Sequence, residues 1–383
     1  MTIELLTGKA AAEAGGESDF AGYRNPRAFR IKESLAEDAT TRLSEAFSNT
    51  WGSDVRLAEA FTTSDFKLAA FAELDQELQS QYEALPSTWD QYTDTTTVRD
   101  FRPKRLKSRG RATVGLARVP EHTEYPADDQ RYFSEYAISV AKYGRRKAIT
   151  WEAWINNEAV QELEDMPAEL SEQARETEMI AAVSNLLLVD PKTNEASDVN
   201  TTFFKTANGN APTSLPLTRD NLKAVLDGMA VRKDPGTKRS IARPEVVVVI
   251  PKALESQMTS ILRPIEVRRT VDGVETIEGN EFSALSYVVE PMLDFVNKNT
   301  KAATTWFVVP KPGSARPALW TAKLAGHETP DLRVKADGGQ RVGGGDVSPL
   351  EGSFEVDDIQ YRCRHIVGNQ TADALFTYAS RGA

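Results

Sequence analysis

YGRRKAITWEAWINNEAVQELEDMPAELSEQARETEMIAAVSNLLLVDP, residues 143–191, opens as an extended segment rich in Tyr, Gly, Arg and Lys and closes on a helical pattern. Pro167 suits the first turn of a helix, where its missing N–H would have no partner, and Pro191 cannot continue one. A helix is therefore predicted between them. Met166, Leu170, Ala174, Thr177, Ala181, Ser184 and Leu188 recur at helical spacing, leaving Glu169, Glu172, Arg175, Glu176 and Glu178 to the other side. At 1.5 Å per residue such a rod is about 30 Å long. Its terminal LLLV is apolar all round and is expected to be buried. An ordinary amphipathic helix behind a strand has the same pattern, so the rest of the chain must decide.

Composition narrows the choice. The chain of 383 residues is long enough for two or three domains with their own cores, and 40% apolar with 27% charged residues is globular composition. No apolar run approaches the length of a membrane span and no leader pattern or missing propeptide is expected at the start. Cys363 is the one cysteine, which excludes intrachain disulfides and thiolate clusters, and the three histidines, His122, His327 and His365, are far apart. Metal and acid–base chemistry are poorly supplied. A formal net charge of −10 argues against a coat that neutralises phosphates. A mildly acidic wall suits a container that must not stick to its contents.

Toward the N-terminus the charge flips. Arg99, Arg102, Lys104, Arg105, Lys107, Arg109, Arg111 and Arg118 face one acid, Asp100. Such a run could bind phosphates, but no aromatic interleaving marks a base-stacking platform, and the acidic surface of a neighbouring subunit is the alternative. ATVGLARV and RYFSEYAISVAKY follow, separated by PEHTEYPADDQ, and alternate as a long β-hairpin with Tyr132, Tyr136, Ile138 and Val140 on one face. An isolated hairpin is marginal in water, so it must lie on this chain's core or reach a neighbour. Leu57 to Leu85 reads as a helix, with Phe66, Ala69, Ala70, Leu74 and Leu78 apolar. Residues 1–60 are polar and acidic, with one apolar stripe at Ile31, Leu35, Ala39, Leu43 and Phe47 that must be buried against something.

Toward the C-terminus, Asp198 to Pro216 reads as a linker or exposed loop. Thr218 is an N-cap, Leu217 and Leu222 form a hydrophobic staple, and Leu222, Val225, Leu226 and Met229 are the buried side of the helix that follows. EVVVVI, ending at Ile250, is a continuous β-branched run and hence a strand covered on both faces. Pro251 opens another helix, with Leu254, Met258, Ile261 and Leu262 apolar, and Pro264 ends it. LSYVVE, TTWFVVP and ALWTAKL are further strands of a domain over about 215–335. GGQRVGGGD is a loop that lacks the Lys-Ser/Thr of a phosphate-binding loop, and DPGTKRS fails the same test. In SFEVDDIQYRCRHIVGNQ, Tyr361, Cys363 and His365 share one strand face and Arg362 and Arg364 the other. A Cys-x-His pair could be nucleophile and base, but no orienting carboxylate accompanies it, so a packed Cys and a hydrogen-bonded His are expected.

The order of these segments resembles the major capsid proteins of tailed double-stranded DNA bacteriophages. The resemblance runs over about 57–383 and rests on TTSDF, LPSTWDQY and VRDFRPKR, on YGRRKAITWEAWINNE before a long helix, and on the closing YRCRHIVG strand. It implies an α+β, HK97-type fold: arm at 1–60 leading through 61–109, extended β-hairpin loop at 110–143, peripheral domain with spine helix at 144–214, axial domain with a central sheet at 215–337, and return strands at 338–383. It implies a non-enzymatic shell subunit that forms pentamers and hexamers of an icosahedral head around double-stranded DNA. Its partners would be itself, a scaffold, a portal and decoration proteins, with no membrane and no cofactor, in the virion after assembly in host bacterial cytoplasm. Candidate inter-subunit residues are Arg99, Arg102, Lys104, Arg105, Lys107, Arg109, Arg111, Tyr132, Tyr136, Arg145, Arg146 and Lys147.

Three alternatives stay open on sequence. An encapsulin-like compartment shares the fold, another head or tail protein also self-assembles, and an enzyme could use Asp128 with Asp129 or Asp357 with Asp358. Adjacent residues on a strand point oppositely, which disfavours such pairs. No Lys–Asn cross-link can be assigned; Lys104, Lys107 and Asn369 are present, as surface Lys and Asn commonly are.

Overall fold

The computed structural model describes residues 64–382 except 110–115, 128–131, 151, 153–158, 235–237, 265, 272–273, 336–338, 341–345 and 348–357. The expected arm over 1–60 with its striped helix, the Asp128–Asp129 pair and most of GGQRVGGGD thus lie outside the described residues.

In chain order the helices are α1 (Ser64–Ala84), α2 (Ala159–Val183), α3 (Arg219–Ala230), α4 (Glu255–Leu262) and α5 (Pro291–Val296). The first strands are β1 (Asp94–Val98), β2 (Lys104–Arg109), β3 (Tyr132–Ile138), β4 (Ala141–Thr150), β5 (Leu187–Val189) and β6 (Ala196–Val199). Then come β7 (Val246–Ile250), β8 (Glu266–Val271), β9 (Val274–Gly279), β10 (Ser286–Val289), β11 (Trp306–Pro310) and β12 (Leu319–Leu324). The last are β13 (Asp331–Val334), β14 (Gly339–Gln340), β15 (Asp346–Val347), β16 (Asp358–Thr371) and β17 (Tyr378–Ser380). The mixture is α+β, and the chain divides into two compact units.

The first unit takes Met1–Pro86, Lys142–Arg175 and Ala325–Ile366. Its core is Leu78 of α1, Ile149 of β4, Met166 and Leu170 of α2, and Ile359, Tyr361 and Cys363 of β16. Full burial of side chains of this size contributes roughly 1.5–3 kcal/mol each. β13 pairs antiparallel with β16, Asp331 opposite Arg364 and Val334 opposite Tyr361. Asp75 accepts the Leu332 N–H at 2.9 Å, tying α1 to that strand.

The second unit takes Ser87–Ala141, Glu176–Leu324 and Val367–Ala383. Its central sheet runs β10-β7-β11-β17. β7 is buried along its whole length, and the two-residue period divides its side chains between two cores. Val246, Val248 and Ile250 join Leu222, Val225, Leu226 and Met229 of α3 and Met258 and Ile261 of α4. Val247 and Val249 join Trp89, Tyr92, Ala182, Val183, Leu186, Phe203 and Phe204. A strand covered on both faces reads as an unbroken apolar run for this reason. Thr218 caps α3 by accepting the Asn221 N–H, and Leu217 and Leu222 are both buried, as the staple requires. A separate ladder places β12 between β1, parallel, and the end of β16, antiparallel.

Several expectations need correction. The long helix starts before Pro167, which lies inside α2 with its side chain buried. An interior proline removes one hydrogen bond and sets its ring against the carbonyl four residues back, typically at a cost of about 3 kcal/mol, and here the helix continues through it with the ring buried. The helix ends at Val183 rather than running into LLLV; β5 pairs with β6, and Leu188 is 46% exposed. Glu178, assigned to the solvent side, has no exposure at all.

The hairpin's first strand is β2, within the basic run, and not ATVGLARV, whose residues 116–119 are not strand. Asp198–Pro216 is a packed loop: Phe203 and Phe204 enter the core, and buried Asn200 and Asn210 donate to the Asn185 carbonyl at 3.0 Å and the Thr377 hydroxyl at 2.8 Å. Buried amides persist when so satisfied. ALWTAKL leaves the central sheet for β1 and β16, while β17 takes its place.

Candidate assembly interface

β2 and β3 form a ribbon of two strands, with Lys104 opposite Ile138, Leu106 opposite Tyr136 and Lys107 opposite Glu135. Ile138 is buried and Tyr136 and Leu106 half-buried, while Glu135 and Ala137 are exposed, so Leu106, Tyr136 and Ile138 share the more buried face, with Lys104 exposed at its end. Arg105 lies on the polar face, its guanidinium 3.3 Å from Glu135, with both side chains well exposed. At the foot of the ribbon Arg99, Arg102 and Lys104 are exposed beside Phe101, itself 53% exposed. The Arg102 N–H is held by Asp100 at 3.0 Å, and Lys104 donates to the Thr96 hydroxyl at 2.8 Å and the Thr97 carbonyl at 2.9 Å.

Of the other candidates, Lys107, Arg109 and Tyr132 are placed by their backbone in β2 and β3, and Arg111 lies outside the described residues. Arg145, Arg146 and Lys147 belong to β4 in the first unit. Arg145 is exposed; Arg146 donates to Gln360 at 3.1 Å and Lys147 to Glu169 at 2.6 Å. The same unit exposes Asp165, Glu169 and Glu172 along α2, at spacings that share one helix side. Ion pairs this exposed are worth about 0–1 kcal/mol each, so any contact they make depends on number and complementarity.

Cys363 and His365 are buried in the first unit, and the His365 ring lies 5.8 Å from that of Tyr82. The Arg175 guanidinium stands 4.0 Å over the Tyr82 ring and donates to the Tyr82 carbonyl at 2.8 Å. This is a packed strand face. Among the described residues no group of three or more His, Cys, Asp or Glu could hold a metal ion, and no helix is long and apolar enough to cross a membrane.

Sequence reasoning missed a second two-stranded ribbon, β8 with β9. Its signal is Val271-Asp272-Gly273-Val274, since Asp-Gly between alternating segments is a strong hairpin marker. It also missed the buried Glu178–Lys323 pair, which helical periodicity alone does not indicate.

The family model described as phage capsid protein matches residues 134–379, more than half of the chain. The chain belongs to the phage capsid protein family. It is a structural protein of the phage head, self-associating into the shell, and its place is the virion capsid. Solved structures similar to this capsid protein include one from Gordonia phage Cozz, at 13% identity and TM-score 0.45 over 76% of this chain and 84% of that one. Another is from Mycobacterium phage Ogopogo, at 14% identity and TM-score 0.43 over 78% and 92% of the two chains. A third is a virus-like particle from Pyrococcus furiosus, at 10% identity and TM-score 0.41 over 81% and 98%. No curated protein matches the chain. The compartment, tail-protein and enzyme alternatives are not favoured, because the matched family is that of capsid proteins.

Proposed function

We propose that copies of this capsid protein tile an icosahedral head as pentamers and hexamers, with the β2–β3 ribbon as the extended loop that lies on a neighbouring copy. In this reading 1–60 is an inter-subunit arm, 144–214 the peripheral domain, 215–337 the axial domain and 338–383 the return strands. The ribbon carries the proposal. Among the described residues it has no third strand, and two strands alone are marginal in water. A partner supplies the missing contacts.

Charge indicates which surface the partner offers. Arg99, Arg102 and Arg105 are exposed on or beside the ribbon, and Asp165, Glu169 and Glu172 are exposed along α2. Pairing the first set with the second on another copy supplies several weak contacts at once, which salt would screen over about 8–10 Å. Double-stranded DNA is enclosed without sequence-specific binding, in keeping with a net charge of −10. Scaffold, portal and decoration proteins act as further partners, with assembly in the host bacterial cytoplasm.

The test is charge reversal. Arg102→Glu with Arg105→Glu should abolish or sharply reduce shell formation, and adding Glu169→Arg with Glu172→Arg in the same chain should restore it. Undiminished assembly of the first variant would remove this contact from the account.

A further inference from the structure

The loop 231–243, between α3 and β7 in the second unit, carries Arg232, Lys233, Lys238, Arg239 and Arg243 against one acid, Asp234, in a protein of net charge −10. The chain folds back on itself there. Lys233 bridges antiparallel to Ser240, and the Asp234 N–H donates to the Arg239 carbonyl at 2.8 Å. The Lys238 N–H donates to the Asp234 carbonyl at 2.9 Å and the Ile241 N–H to the Arg232 carbonyl at 3.4 Å. The foot of the loop is anchored by side chains as well. The Arg232 guanidinium donates to the carbonyls of Leu375, of Thr377 at 3.3 Å and of Gly209 at 3.1 Å. The Asp234 carboxylate is held by Arg316, which also reaches Asp373 at 3.1 Å.

The foot thus engages one base with carbonyls and the only acid with Arg316, and the tip is left cationic. Lys233, Lys238, Arg239 and Ser240 are exposed. Among the described residues no carboxylate lies within 4.0 Å of Lys233, Lys238 or Arg239. Arg243 donates to the Leu226 carbonyl at 3.4 Å, next in the chain to exposed Asp227, and is not counted with the tip.

The chemistry of the tip selects its partner. Protein interfaces centre on buried apolar and aromatic residues and are depleted in lysine. The foot of the β2–β3 ribbon has that character, with Phe101 exposed among its bases, whereas here the exposed apolar residues, Val231 and Ala242, sit at the foot and the tip offers only cations and a hydroxyl. Lys, Arg and Ser are donors that meet phosphate oxygens, and such contacts carry no sequence information. A chain of net charge −10 cannot coat a polyanion, but a few free cations on a fixed loop make a local contact with one.

We propose that the tip of this loop is a sequence-independent contact with the phosphate backbone of the enclosed double-stranded DNA. Lys233, Lys238 and Arg239 neutralise phosphates and Ser240 donates its hydroxyl to one. The inference rests on the shell reading for the presence of the DNA, and it assigns a surface separate from the β2–β3 ribbon.

The test titrates the full-length chain, as free subunits, against a short duplex of mixed sequence over a series of salt concentrations, read by fluorescence anisotropy. Each phosphate neutralised contributes about 0.9 to the slope of log K against log salt. Arg239→Gln should therefore lower the slope by about 0.9, and Lys233→Gln with Lys238→Gln and Arg239→Gln by about 2.7. Thermal unfolding should be unchanged in both, since the side chains removed are exposed. Arg102→Gln with Arg105→Gln, at the ribbon, should leave the slope as it is. No duplex binding by the unaltered chain at low salt, an unchanged slope in the loop variants, or an equal loss in the ribbon variant would overturn the proposal. Negative-stain imaging should show that the triple variant still forms shells; shells lost with duplex binding intact would make the loop a protein contact instead. If the unaltered chain forms no shell, the shell reading fails, while the titration still decides whether the loop holds phosphates.

Discussion

Glu178 and Lys323 form an ion pair of 2.9 Å in which the acid's side chain has no solvent exposure and the lysine's side chain keeps 23%. Trp89 donates its indole N–H to the same carboxylate at 3.2 Å, and the Lys323 ammonium lies 5.5 Å from the indole ring. One acid on α2 thus ties β12 and the segment entering the second unit to the helix. Removing water from a carboxylate is costly, and here an ammonium and an indole replace it.

Loss of the lysine should therefore hurt more than loss of the charge on the acid. Lys323→Met strands a buried carboxylate and is expected to cost about 3–5 kcal/mol. Glu178→Gln keeps an acceptor for Trp89 and leaves a partly exposed ammonium that water can reach, so its cost should be smaller. Denaturant unfolding of both variants measures the difference, and equal costs would contradict this reading of the pair.

Glycine positions give a second contrast. A Cβ at Gly368 would lie 2.0 Å from the Ser139 carbonyl oxygen, and one at Gly144 would lie 2.6 Å from the Cys363 carbonyl oxygen. Backbone atoms cannot yield as a flexible side chain does, so Gly368→Ala should cost at least the roughly 1–3 kcal/mol of an overpacked core. Gly228, within α3, meets nothing within 4 Å. Gly228→Ala should gain about 0.5–1 kcal/mol, which thermal unfolding would register as a rise in Tm.

Much of this architecture is legible in sequence because its signals are local and repeated. β7 reads as a doubly covered strand from five successive apolar residues, and α3 from its cap, staple and apolar stripe. What local pattern does not carry depends on distant partners. Glu178 has the spacing of a solvent-facing acid until Lys323 is folded against it, and Pro167 has the chemistry of a helix start until the turn before it is seen to be helical. β2 does not read as a strand because charged residues mask its alternation, Leu106 being the lone apolar member of KRLKSR. Of the candidate interface, charge and exposure could be anticipated, but the partner of each strand could not.

Glu290 provides a pH dependence. It is fully buried, accepts hydrogen bonds from the hydroxyls of Thr88 and Tyr92 and from the Met292 N–H, and caps α5. Burial pushes its carboxyl above the usual range despite those three donors. Tyr92, pushed up by burial and by Glu290 itself, and Asp294, pushed up by burial, are the other titratable groups nearby with shifted values. A folded pKa above the unfolded one means the folded state holds the proton more tightly. The contribution is present below the unfolded value and is lost as pH rises through the folded one. Glu290→Gln should therefore be more stable than the parent above that window, with the gap closing in acid. A gap that does not change with pH would contradict the assignment.

Limited proteolysis compares free and assembled protein. If the arm and extended loop are held by neighbours, free subunits should be cut first within about 1–60 and 110–140, and assembly should protect both. Equal rates of cleavage at these sites in the two states would count against contacts there.

The most direct measurement is negative-stain electron microscopy of the expressed full-length chain, alone and with a scaffold protein if one is encoded beside it. Closed polyhedral shells, or rings of five and six subunits, are the predicted result. A monomer or small oligomer under every condition of salt and concentration would contradict the account.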